Sequence, residues 1–324
     1  MATRNYNIDL LRFVLILFVV QYHMNPYGGI GTPYFVFNVH LIVWMFMLIS
    51  LYLLQARGAR FGHVRWLRLV LPYLSWSIIY LCLRNLKSAF QGDEISFDSW
   101  TLKTFLTGGA ALHLYFIPLL LTYQLIACAL HGLFLKNAER STRIISCGIL
   151  ITAFLFSSVL KLKSTVIGSE HGLFIDALFA AICAQILVSL CSEAGPIRSK
   201  LLNVVMVLAT FSMLCWQANF DGPVLIKVMI ASGILYLILR MPIAGRLVQF
   251  DWLFSTSFGI FLIHHAIVEL AEVIFKQFGI QLFPYNFKER ILGTFIVVVI
   301  SCGLIHLTRR SKHLSLLLIG EKKT

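Results

Sequence analysis

Arg12 and His23 stand eleven positions apart in an otherwise apolar stretch that opens at Asn7-Ile8-Asp9 and closes at Gln21-Tyr22-His23. At about 100° and 1.5 Å per residue, a helix through this stretch returns His23 to within about 20° of the Arg12 face, about 16 Å further along the axis. One face then carries a cation at one end and an imidazole at the other. A guanidinium offers phosphate oxygens a planar fork of donors, and an imidazole titrates near neutral pH, so the pair suits anion binding and general base chemistry. Asp9, three residues before Arg12, is spaced to pair with it and to lower the cost of holding either charge. The structural alternative is a salt-bridged helix start with a snorkelling arginine and a hydrogen-bonded histidine.

A second basic cluster lies at Arg65-Trp66-Leu67-Arg68-Leu69-Val70-Leu71-Pro72-Tyr73, with Arg57 and Arg60 upstream. On its own it reads as an ordinary basic loop with proline early in the next helix, and it also fits a phosphate-bearing ligand. His113, Asp176, Lys227, His264, Glu269 and Glu272 each fall within or at the end of an apolar run, where an ionisable side chain is a functional candidate by default. Together they suggest a polar cavity able to hold a hydroxyl acceptor. His264 and His265 are adjacent, so on a regular helix their side chains point about 100° apart, and one is expected to reach a shared site while the other packs. Helical metal ligands want a spacing of three or four, and no metal is expected. The seven cysteines are scattered and read as small apolar packing residues.

The elements that position these groups follow from composition. A chain of 324 residues that is 59% hydrophobic and 13% charged has more apolar surface than one soluble core can bury. The surplus must face lipid. Apolar runs of the length a bilayer requires recur near residues 8–25, 35–54, 66–84, 113–135, 143–160, 172–190, 201–217, 224–240, 254–275 and 291–308. The longest break, 85–112, has room for a short helix. With the N-terminus inside, the cytoplasmic loops and tail hold 17 of the 27 Lys and Arg residues. The expected fold is therefore an all-α integral membrane protein, a polytopic bundle of about ten transmembrane helices with both termini cytoplasmic. The region 309–324 reads as a short basic cytoplasmic tail. The first span reads as a retained helix rather than a cleaved signal, because Asp9 and Arg12 interrupt its start. The net charge of +13 is spread over many loops with no recognition module, so nucleic acid is not an expected partner.

The opening Asn7-x-Asp9-x-x-Arg12, followed after ten residues by His23, resembles the Arg-x10-His signature on the first helix of the membrane acyltransferase-3 family. Arg65-x-x-Arg68 with Pro72 resembles that family's Arg-x-x-Arg-hydrophobic-x-Pro segment. His113-Leu114-Tyr115-Phe116 and Ser257-Phe258-Gly259-Ile260-Phe261-Leu262-Ile263-His264 are similar to strings that open its fourth span and occupy its ninth. The resemblance implies a single acyltransferase-3-like transmembrane domain over 1–324, of the stand-alone form without a periplasmic hydrolase-like domain. It implies an acetyl-CoA-dependent O-acetyltransferase of the bacterial inner membrane, acting on a lipid-linked or envelope glycan such as lipopolysaccharide O-antigen or exopolysaccharide. On this reading His23 is the catalytic base, with Arg12 and Asp9 beside it, and Arg65, Arg68 and Arg12 bind acyl-CoA. No Ser or Cys stands out as a nucleophile with a neighbouring base.

Two rivals remain at this level. A secondary transporter would also place charges near the midplane, but it calls for internal repeats and matching broken helices, and Pro118 and Gly259 interrupt their spans in unlike contexts. A non-catalytic assembly factor leaves the Arg12 and His23 spacing without a purpose.

Overall fold

The computed structural model describes residues 5–24, 39–64, 66–92, 94, 97, 100–107, 109–111, 113–131, 180–184, 187–188, 224–241, 248–278 and 287–321. Among these the regular structure is helical, with no strand. The helices are α1 (Tyr6–His23), α2 (Val39–Gln55), α3 (Trp66–Gln91), α4 (Leu102–Thr107) and α5 (Phe116–Leu130), followed by α6 (Val224–Arg240), α7 (Asp251–Phe254), α8 (Ser257–Gln277), α9 (Phe287–Thr308) and α10 (Lys312–Ile319). Four of them, α1, α3, α8 and α9, are long and apolar enough to cross a membrane, and α2 and α5 contain shorter apolar helices. Arg65, Asp176, and the expected spans at 143–160 and 201–217 lie outside the described residues, as does most of the one at 172–190.

α9 shows why these helices suit lipid. Leu292, Phe295, Ile296, Val299, Ile300, Leu304 and Leu307 are exposed at helical spacing, whereas Arg290, Thr294 and Ser301 are buried. A soluble helix would turn these two sets the other way round. Its outward face is apolar because its surroundings are.

The chain divides into two compact units. The first comprises Met1–Ile8, Phe35–Val64 and Leu120–Pro242. In it α2 packs along α6, burying Met45, Leu48 and Ile49 on one helix and Val228, Ala231 and Leu235 on the other. The Asn7 amide donates to the carbonyls of Ile238 at 2.9 Å and Met241 at 2.7 Å. It thereby adds a second donor to the Ile238 carbonyl, which also accepts the Met241 N–H at 3.2 Å, and caps the Met241 carbonyl just past the end of α6.

The second unit comprises Asp9–Tyr34, Arg65–Leu119 and Ile243–Thr324. Here α8 packs on α3, α9 and α10, and α10 packs on α3. Gly259 permits this closeness, since a Cβ there would lie 2.7 Å from Ile305 Cδ1 and 3.2 Å from Ile319 Cγ2. Two hydrogen bonds brace the segment before α5 against α3, one from the Tyr73 hydroxyl to the Phe105 carbonyl and one from Arg84 Nη2 to the Ala110 carbonyl at 2.9 Å.

Three expectations change. α3 runs to Gln91, seven residues past the expected end of its span at 84, because Arg84 and Lys87 find partners in Ala110 and Glu272 and their charges do not stop the helix. Pro118 and Gly259 interrupt nothing. Each is the third residue of its helix, where a missing N–H is unpaired in any case and a glycine serves close packing. The segment expected as a basic tail contains α10, an eight-residue helix with Ser311 as its N-cap and Gly320 as its C-cap.

Candidate active site: an imidazole cluster braced by a tyrosine

Tyr80, near the middle of α3, is 1% exposed and reaches into the backbone of α8. Its hydroxyl donates to the Leu262 carbonyl at 2.8 Å and accepts from the Ala266 N–H at 3.0 Å. In an undisturbed helix those two groups bond to each other. The hydroxyl thus bridges one step of α8, a continuous helix from Ser257 to Gln277, and the bridged turn is the one that carries His264 and His265.

Both histidines reach the same place. His264 lies 5.2 Å from His23 and 5.0 Å from His113, centroid to centroid, and His265 lies 5.2 Å and 5.3 Å from the same two rings. His23 and His113 are 6.0 Å apart. The expectation that only one of the adjacent pair could face a shared site is overturned. Two rings about 100° apart flank a third group placed between them.

Hydrogen bonding sets the tautomers on α8. His264 Nδ1 lies 3.0 Å from the Ile260 carbonyl, which can only accept, so Nδ1 carries the proton and the neutral ring keeps its lone pair on Nε2. His265 Nε2 lies 3.2 Å from Glu269 Oε1, one turn on, leaving the Nδ1 lone pair when the ring is neutral. His264 Nε2, His265 Nδ1 and both ring nitrogens of His113 are buried without a well-aligned hydrogen bond. Tyr80 and Phe261 wall the cluster, each edge-on to His113 at 5.2 Å and 5.3 Å. The result is a buried set of proton acceptors, one of them oriented by a carboxylate, the arrangement a general base requires.

The other expected residues divide as follows. His23 closes α1, and His113 sits in the turn before α5. Asp9 lies 4.0 Å from Arg12, the pairing their spacing calls for. Glu272 pairs with Lys87 at 3.0 Å rather than with the imidazoles. Lys227 is buried on α6, in the first unit. Arg68 lies in the first turn of α3, three turns before Tyr80. Among the described residues no group of three or more His, Cys, Asp or Glu side chains is arranged to hold a metal ion. Sequence reasoning missed Tyr80 and set His265 aside. The one available signal was the His264-His265 doublet with Glu269 four residues after His265.

Apolar helices of spanning length around a buried imidazole cluster define a membrane protein with polar chemistry inside its helical body. The acyltransferase-3 family model, described as an acyltransferase domain, matches residues 5–308, and the chain belongs to this family. It is a membrane acyltransferase. Comparison with curated proteins and with solved structures returns no significant match.

Proposed function

We propose that this protein moves an acetyl group from acetyl-CoA to a sugar hydroxyl of a cell-envelope glycan, such as lipopolysaccharide O-antigen or an exopolysaccharide, in the bacterial inner membrane, with His23 as general base. The observation that carries this reading is the convergence of His23 with His113, His264 and His265 in the unit that also holds Arg12 and Arg68. Arg65, Arg68 and Arg12 bind the donor's phosphates. From Arg68 to Tyr80 is twelve residues of α3, about 18 Å along the axis, a span that an extended pantetheine arm covers. The thioester then lies at the imidazoles while the phosphates stay at the arginines.

In the reaction His23 takes the proton of the acceptor hydroxyl as its oxygen attacks the thioester carbonyl. A carbon–oxygen bond forms, the carbon–sulfur bond breaks, and the imidazolium returns its proton to the departing thiolate. His113 and His264 hold the acceptor beside His23, and Glu269 fixes the ring of His265. A shallow cleft between α3 and α8, lined by Leu83, Leu86, Lys87, Phe90, Glu269 and Leu270, adjoins the Glu269 end of the cluster. Leu86, Phe90 and Leu270 are exposed apolar residues, which suits an acceptor tethered to a lipid.

Membranes supplied with labelled acetyl-CoA and total envelope glycan test the reading. Label transfer is expected, and His23→Ala should abolish it while the protein still inserts. Transfer by His23→Ala at the wild-type rate would sink the assignment.

A further inference from the structure

Pro72 lies inside α3 and has no N–H, so the carbonyl four residues earlier, that of Arg68, loses its helical hydrogen bond. The group beneath that free carbonyl is Gly320, at the end of α10. Gly320 has φ +67°, and a Cβ on it would run into the Arg68 carbonyl oxygen and lie 3.2 Å from Pro72 Cγ. Glycine is therefore required twice, for its left-handed backbone and for the space it leaves.

The rest of the segment is fastened around this contact. The Trp76 indole, one turn after Pro72, donates to the Leu318 carbonyl at 2.8 Å, filling an acceptor that the last turn of α10 leaves open. Arg309, just before α10, grips Glu321, just after it, with Nε to Oε2 at 2.8 Å and Nη2 to Oε1 at 2.6 Å. The same Nη2 reaches Ser255 Oγ, in the turn before α8, at 3.1 Å. Ser315 Oγ donates to the Glu321 carbonyl at 3.1 Å. The ion pair closes a loop around α10 and holds Gly320 against α3.

We infer that α10 and Gly320 form a clasp that positions the Arg68 turn for donor binding. The inference rests on the proposed donor role of Arg68. The proline removes the helical donor from the Arg68 carbonyl, and the clasp packs Gly320 against that carbonyl instead. Gly320, Trp76, Arg309 and Glu321 are positioning residues, acting through Arg68 without touching the reacting atoms.

Steady-state acyl transfer by the full-length protein in native membranes, with acetyl-CoA varied, tests this. Gly320→Ala and Trp76→Phe should each raise the KM for acetyl-CoA about five- to tenfold and leave kcat within about twofold. Arg309→Glu should behave likewise, and adding Glu321→Arg, which restores the pair in reverse, should bring KM back toward wild type. Unchanged KM in Gly320→Ala and Trp76→Phe, with Arg68→Ala raising it, would overturn the clasp and leave the donor reading standing. Unchanged KM in Arg68→Ala would remove the donor reading and the clasp with it. If Gly320→Ala fails to accumulate, Trp76→Phe decides by the same split, since it keeps an aromatic ring while losing the indole N–H.

Discussion

The imidazole cluster and the α10 clasp occupy the same unit and are built on opposite principles. Around α10 the polar groups are matched: Trp76 with Leu318, Arg309 with Glu321 and Ser255, Ser311 with the first turn of the helix. Around His23 they are not, and four buried ring nitrogens lack a well-aligned partner. Buried polar atoms without partners are costly and uncommon in folded proteins. A fold that satisfies the start of α3 and leaves its middle wanting has put its stability in the first place and, on the proposed mechanism, its chemistry in the second.

The largest expected break in that comparison is at His23. Its replacement by Ala should lower kcat/KM about 10³-fold, the range for loss of a general base, with little change in thermal stability of the solubilised protein. Glu269→Gln keeps the shape of the side chain and weakens its hold on His265. A fall in kcat of about tenfold at unchanged acetyl-CoA KM is expected, and an equal rise in KM would move Glu269 to the donor side. Tyr80→Phe sharpens the point further. Removing the hydroxyl leaves the Leu262 carbonyl and Ala266 N–H to pair with each other, so the melting temperature should hold while kcat falls about fivefold as the turn carrying His264 and His265 loses its brace. Parallel losses of activity and stability would show that Tyr80 is mere packing. Within the clasp, Glu321→Gln should cost about 1 kcal/mol of stability, as expected of a partly exposed pair, and leave kcat within about twofold.

The sequence made some of this readable and concealed the rest for identifiable reasons. The Asp9 and Arg12 spacing foretold their pairing, and the apolar runs located α1, α3, α8 and α9 to within a few residues of their observed starts, because helical period and span length are local properties. The true end of α3 was hidden, since Arg84 and Lys87 read as a boundary until Ala110 and Glu272, distant in sequence, neutralise the argument. His265 was set aside because adjacent helical side chains diverge, yet His23 and His113, distant in sequence, lie within reach of both rings. α10 escaped notice because eight residues are too short for a periodic pattern to stand out beside the basic residues that flank them. The Asn7 of the opening motif turns out to serve α6 in the first unit, a role no spacing could announce.

The Tyr80 hydroxyl has a single proton, and the Leu262 carbonyl receives it. Its oxygen is in turn occupied by the Ala266 N–H. A phenol beside a cluster of histidines would ordinarily be a natural acid for a leaving group, yet this one is spent on bridging a step of α8. On the proposed mechanism the proton therefore passes through the imidazoles and not the phenol, and a variant that freed an acid at position 80 would have to give up that bridge.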